Sequence, residues 1–178
     1  HAIVGHNAEA VLIENVEIVG ANRADLVSVA TGATAGMGVA EYPRAAIAFL
    51  HDEASGEPRA NRVEGVKIDG GEARLGGAGI ALHAHGESHA RLEISNTTII
   101  GLGAGFPRSG ILVDSQGSAS VRVDVLDTVV EDAFQSSDGA IFIAQGASRI
   151  DATLRRYRFT GGAGEQGIGN NGLETVVY

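Results

Sequence analysis

At 178 residues the chain is long enough for one domain with a sizeable buried core. A formal net charge of −9 argues against nucleic acid and anionic membrane surfaces as partners, and no apolar run approaches the ~20 residues of a membrane-spanning helix. With no cysteine there are no disulfides or thiolate metal sites, while 26 glycines beside 4 % aromatics suit short aliphatic strands joined at tight corners.

The chain begins at His1, without an initiator Met, and VLIENVEIVG (11–20) follows as an apolar alternation broken at Asn15. ADLVSVATG (24–32) keeps the glycine-end spacing of the later strands but opens with Asp25, and ATAGMGVAEYPR (33–44) replaces a normal second half, so 21–44 reads as an irregular coil or an insertion carrying a strand. From residue 45 onward the sequence repeats. GIALHAHG (79–86), GILVDSQG (110–117) and GAIFIAQG (139–146) share one internal glycine spacing and lie 31 and 29 residues apart. Before, between and after them stand VEGVKIDG (63–70), ISNTTIIG (94–101), VLDTVVED (125–132) and TLRRYRFTG (153–161), each an alternation interrupted at one position. The interrupting residues are Asn15, Gly65, Asn96, Asp127 and Arg156. The first four tolerate a left-handed backbone, a conformation that costs other side chains ~1–2 kcal/mol. Arg156 does not fit that rule. LETVVY (173–178) ends the sequence in mid-coil, so the whole reads as one domain over 1–178 cut from a longer chain.

A period near thirty residues with no helix between the strands specifies a solenoid. Each repeat supplies three short strands: the glycine-bounded strand, the strand before the corner and the strand after it. Ala90, Leu92 and Ile94 align with Val121, Val123 and Val125, then with Ile150, Ala152 and Leu154, as an inward set. Ile18, Ile68, Ile99, Val130 and Phe159 share one inward position beyond the corner, while Arg91, Glu93, Arg122, Asp124, Asp151 and Thr153 face out. The expected fold is therefore all-β: a right-handed, single-stranded parallel β-helix of about five to six coils. The runner-up, a two-layer antiparallel sandwich, needs hairpin turns, and only Asn171-Gly172 offers one.

Through its I-x-N-x-x-I-x-G repeats (Ile13–Gly20 and Ile94–Gly101) the chain resembles the pectin-lyase-like superfamily over nearly its whole length. That resemblance implies the β-helix fold; its members include lyases, hydrolases, phage tailspikes and adhesins, so it does not imply one activity. The enzyme signatures do not carry over. A pectate-lyase-like site pairs aspartate calcium ligands with an Arg or Lys on the same sheet, and the aligned outward positions here hold no cation. The N-T-D, D-D and G-H-G set of a polygalacturonase-like site is absent.

On the outward side of the glycine-bounded strands Leu50, His83, Asp114 and Ile143 align, and beside them Asp52, His85, Gln116 and Gln145. This row reads either as a solvated polar ladder or as a site. As a site, His83, His85, Asp52 and Asp114 would hold a divalent ion such as zinc or calcium, or His83 and Asp114 would serve as acid–base groups, the carboxylates raising the imidazole pKa. Glu131, Asp132 and Asp138 form a second acidic group suited to calcium.

Two functions are expected. The first is a non-enzymatic, secreted or surface scaffold or spacer, whose flat faces take an extended polysaccharide or a protein ligand and whose open coil ends stack end to end with other copies. The alternative is a carbohydrate-active enzyme (polysaccharide lyase, hydrolase or epimerase) with its site on the His83/His85/Asp114 face. Short connections after the glycine-bounded strands, which build no groove walls, favour the scaffold.

Overall fold

The computed structural model describes residues 3–20, 45–54, 56, 58–103, 109–134, 138–161, 168–172 and 175–177, the last two strands by their backbone. The irregular segment 21–44 lies outside the described residues. Every strand pairing is parallel, and no helix occurs among the described residues. The chain coils through three sheets in turn. The first contains β1 (Ile3–His6), β4 (Ala45–His51), β7 (Ala78–Ala84), β10 (Ser109–Ser115), β13 (Asp138–Ala144) and β16 (Ile168–Gly172), in that spatial order. The second contains β2 (Leu12–Glu14), β5 (Asn61–Glu64), β8 (His89–Ser95), β11 (Ser120–Leu126), β14 (Arg149–Arg155) and β17 (Thr175–Val177). The third contains β3 (Glu17–Val19), β6 (Lys67–Asp69), β9 (Thr98–Ile100), β12 (Val129–Ala133) and β15 (Arg158–Gly161). The chain is thus an all-β parallel solenoid with three strands per coil, since neighbours within a sheet are always one coil apart in sequence.

The glycine spacing of the first sheet has two separate physical causes. A Cβ on Gly110 would run into Val130 and the carbonyl oxygen of Gly139, and one on Gly79 would lie 2.8 Å from Ile99 Cγ2 and from the Gly110 carbonyl. The opening glycine is therefore required for close approach between sheets. The closing glycines, Gly86, Gly117 and Gly146, have φ of 66°, 74° and 76°, a left-handed turn into the second sheet.

The corner between the second and third sheets is also left-handed. Asn15, Gly65, Asn96, Asp127 and Arg156 have φ of 53°, 61°, 48°, 48° and 50°. Arg156, the residue that breaks the compositional rule, adopts the corner conformation all the same. Its guanidinium makes a two-pronged ion pair with Asp127, the corner of the preceding coil, with Nη2 2.7 Å from Oδ2. Asp127 is held below the usual carboxylate range by that hydrogen bond. A corner ion pair thus accompanies the strained backbone where an Asn or Gly would have avoided the strain.

Inside the coil, aliphatic side chains stack in rows: Ile68, Ile99 and Val130 in the third sheet, Val63, Ile94 and Val125 in the second, Ile47, Ile80 and Ile111 in the first, each at most 2 % exposed. From β4 to β13 the first sheet is largely buried on both sides, whereas Val4 on β1 is 41 % exposed. Ala48, Leu50, Ala81, Leu112, Ile141 and Ile143 point the opposite way from the core rows, and a second apolar cluster forms there, with Ala81 and Leu112 at 0 % and 1 %. The second sheet is buried on one side only. Its outer face carries Arg62, Arg91, Arg122, Arg149 and Arg155 against Glu14, Glu64, Glu93, Asp124 and Asp151.

Candidate functional site

The expected ladder forms in register. Asp114 pairs with His83, His83 with Leu50, and Asp114 with Ile143. The following position continues the same stack, since His85 N donates to His51 O, Gln116 N to Ala84 O and Gln145 N to Ser115 O. Parallel pairing without slippage thus places four side chains separated by up to 62 residues (Asp52 to Asp114) on adjoining strands.

The site is not a solvated ladder. His83 is 1 % exposed, because the outward side of the first sheet is itself buried. Its Nδ1 lies 3.4 Å from Asp114 Oδ2, and that oxygen accepts a 2.9 Å hydrogen bond from Gln116 Nε2. Asp114 Oδ1 is buried without a hydrogen-bond partner among the described residues. His83, Asp114 and Gln116 therefore form one connected polar group beneath an apolar surround. His85 is half-buried beside it. Desolvation holds the His85 imidazole below its ordinary pKa, outweighing the pull of Asp114 and Asp52, and the neighbouring His83 adds to the lowering. For His85 this reverses the expectation that the carboxylates raise the imidazole pKa.

Asp52 belongs to a different network. Its Oδ1 accepts hydrogen bonds from Asn7 Nδ2 at 2.7 Å and from His6 Nε2 at 3.0 Å, and its backbone N donates to Asn7 Oδ1. Partial burial alone would push Asp52 up; the two side-chain hydrogen bonds reverse that and hold it below the usual carboxylate range. His51, one residue earlier, turns inward and is 4 % exposed, with Nε2 3.4 Å from Asn61 Nδ2. Asn61 also donates to Ala8 O and accepts from Val11 N, so it ties the first described coil to the second.

The four predicted residues are thus divided: His83 with Asp114, Asp52 with His6 and Asn7, and His85 beside both carboxylates. Among the described residues no group of three or more His, Asp or Glu side chains is arranged to hold a metal ion. In the second acidic group Asp132 is committed to a cation of the protein itself. Arg74 Nη2 lies 3.0 Å from Asp132 Oδ1, its Nη1 donates to Leu102 O, and its guanidinium sits 5.9 Å from the centre of the Phe134 ring.

Sequence reasoning missed His6, Asn7 and Asn61. His6 ends β1, Asn7 follows it and Asn61 opens β5, all outside the glycine-bounded repeats at 79–86, 110–117 and 139–146, and only the fact that Leu50 pairs with His6 would have connected His6 to Asp52. Among the described residues no helix is long and apolar enough to cross a membrane. No family model matches the chain, and comparison with curated proteins and with solved structures likewise found no match.

Proposed function

We propose that this chain is a non-catalytic β-solenoid scaffold of the pectin-lyase-like kind, secreted or displayed at a cell surface, that presents flat strand faces to an extended glycan or protein ligand. One observation carries this reading: the strand face holding His83 and Asp114 is largely closed, with His83 and Leu112 each at 1 % exposure and only His85 half-buried beside them. A hydrolase or lyase needs its acid and base within reach of a bound polymer. The outer face of the second sheet is open, a grid of mostly polar side chains spaced ~4.8 Å between strands. Three seven-residue strands, β8, β11 and β14, line up there without a register shift.

The test is a panel of neutral and acidic polysaccharides screened for both binding and turnover. Binding without release of reducing ends or unsaturated products is the expected result. Turnover that disappears in His83→Ala and Asp114→Asn would establish the enzymatic alternative instead. That alternative has its own support, because the 3.4 Å His83–Asp114 contact, with Gln116 fixing the carboxylate, is the arrangement of an oriented imidazole. Calorimetric titration of Zn²⁺ and Ca²⁺ into chelator-treated protein tests the metal reading of His83, His85, Asp52 and Asp114. Equal affinity in the parent and in His85→Ala removes it.

A further inference from the structure

The outer face of the second sheet is organised in columns that run along the stack. Arg91 pairs with Arg122, and in the next column Glu93 pairs with Asp124. Like charges directly opposite one another on neighbouring strands are unfavourable. Here they are compensated sideways, by Arg91–Glu93 at 2.8 Å and Arg122–Asp124 at 3.1 Å, with Arg62–Glu93 at 2.8 Å below. The side chains stay accessible: Arg122 is 61 % exposed, Arg91 38 %, Asp124 30 % and Glu93 26 %. The face carries as many arginines as carboxylates, on a chain whose overall charge is −9. The face itself is therefore locally neutral, although the chain as a whole is acidic.

From this pattern we infer that the second sheet's outer face is a self-association surface, and that its partner is a second copy of this chain. A twofold axis running along the stack, between the two columns, sets the arginine column of one copy over the carboxylate column of the other at the same height. Arg91 then meets Glu93 of the second copy, and Arg122 meets Asp124, each contact occurring twice. Unlike a twofold along the strands centred on β8, on β11 or midway between them, it sets neither Arg91 nor Arg122 over an arginine. Such an interface is self-complementary and closes as a dimer, not a filament. One unfavourable meeting remains, Arg155 against Arg149 of the second copy, since both flank the central columns on β14. Three strands of seven residues and one of four, at ~3.3 Å per residue and ~4.8 Å per strand, give a patch of ~400 Å² per copy. That is below the size of a standard stable interface, so the dimer is weak and governed by its charges.

Sedimentation equilibrium at ~0.1 M and ~1 M salt, up to millimolar protein, tests it. At ~0.1 M the Debye length of ~10 Å screens the repulsion between two acidic bodies and spares pairs in contact; at ~1 M, with ~3 Å, contact pairs weaken too. A reversible dimer at the lower salt, at least tenfold weaker at the higher, is expected. Arg91→Glu with Arg122→Glu should abolish it. Exchanging the columns (Arg91→Glu, Arg122→Glu, Glu93→Arg, Asp124→Arg) should restore self-association but prevent mixing with the parent, because arginine columns then meet. Arg155→Glu, one exposed change that does not challenge the fold, should tighten the dimer by turning its one repulsion into an attraction. A monomer throughout, a dimer indifferent to salt or to the double charge reversal, mixing of exchanged and parent chains, or no tightening by Arg155→Glu would each overturn the proposal.

Discussion

Strands β7 and β8 belong to one coil, have seven residues each and pair in the same register with the coils on either side, yet they end differently. Every residue of β7 is buried, whereas β8 alternates between buried and accessible. The difference lies in the side chains facing away from the axis. In β7 these include Ala81 and His83, in β8 Arg91, Glu93 and Ser95. A parallel strand with an alternating pattern has one solvated side; a near-continuous apolar run has none. Both kinds occur together in the coils of β4/β5, β7/β8, β10/β11 and β13/β14, so one coil carries a closed face and an open one.

The comparison breaks first at the shared core. Ile99 is fully buried between Ile68 and Val130. Ile99→Asp places an unpaired charge in that stack, a cost of several kcal/mol, and should abolish cooperative unfolding as followed by circular dichroism. A thermal midpoint within a few degrees of the parent would contradict the stacking. The two outward sides are then set against each other in one coil. Leu112 on β10 and Leu126 on β11 both point away from the axis, but Leu112 is 1 % exposed and Leu126 36 %. Leu112→Ala should cost ~2–4 kcal/mol and Leu126→Ala less than ~1 kcal/mol in denaturant unfolding. Equal costs would erase the distinction between closed and open faces.

Most of the coil was legible in the sequence, for a physical reason. Parallel stacking with one side chain per rung turns a spacing near thirty residues directly into contacts, so the rows through Ile99 and Val130, the pairing of Asp114 with His83 and the corner at Asn96 could all be read off. The closed outer face could have been read too. AAIAFL, GIAL, GILV and GAIFIA are runs without polar alternation, the mark of a strand buried on both sides, although the polar members of the outward row, His83 and Asp114 among them, suggest a solvated one. Arg156 was misjudged because propensity describes a residue in isolation, and its ion pair with Asp127 depends on the neighbouring coil. Asn61 and His6 act through contacts that no repeat encodes.

A smaller effect is expected at the corner that joins the open face to the third sheet. Asn96 has φ 48° and its backbone N donates to Leu126 O. Asn96→Val should lose ~1–2 kcal/mol to left-handed strain, while Asn96→Gly should change stability by a few tenths at most. Chemical denaturation of the pair decides it, and equal losses in Val and Gly would show that side-chain contacts, not backbone conformation, set this corner.

The last contrast lies within the first sheet, between the inward His51 and the outward, half-buried His85. Both imidazoles are held below the ordinary value of 6.5, in each case chiefly because burial disfavours the charged form. At His51 the nearby His6 adds to the lowering while Glu9 and Asp52 oppose it. A lowered folded-state pKa means that, just below pH ~6.5, the unfolded chain binds more protons than the folded one. Stability from these two histidines is therefore complete above that pH and declines as the pH falls through it. Asp52, held low by Asn7 and His6, adds a loss only further into acid, below the usual carboxylate range. The unfolding midpoint should thus fall between pH 7 and 5 in the parent. His51→Gln, which keeps a polar group beside Asn61, should flatten that slope whatever it does to the midpoint itself, and His85→Gln should flatten it less because half-burial desolvates less. A parent slope of zero, or a steeper slope in His51→Gln, would mean that the inward histidine is charged in the folded protein and that the interior of the coil tolerates charge as its open face does.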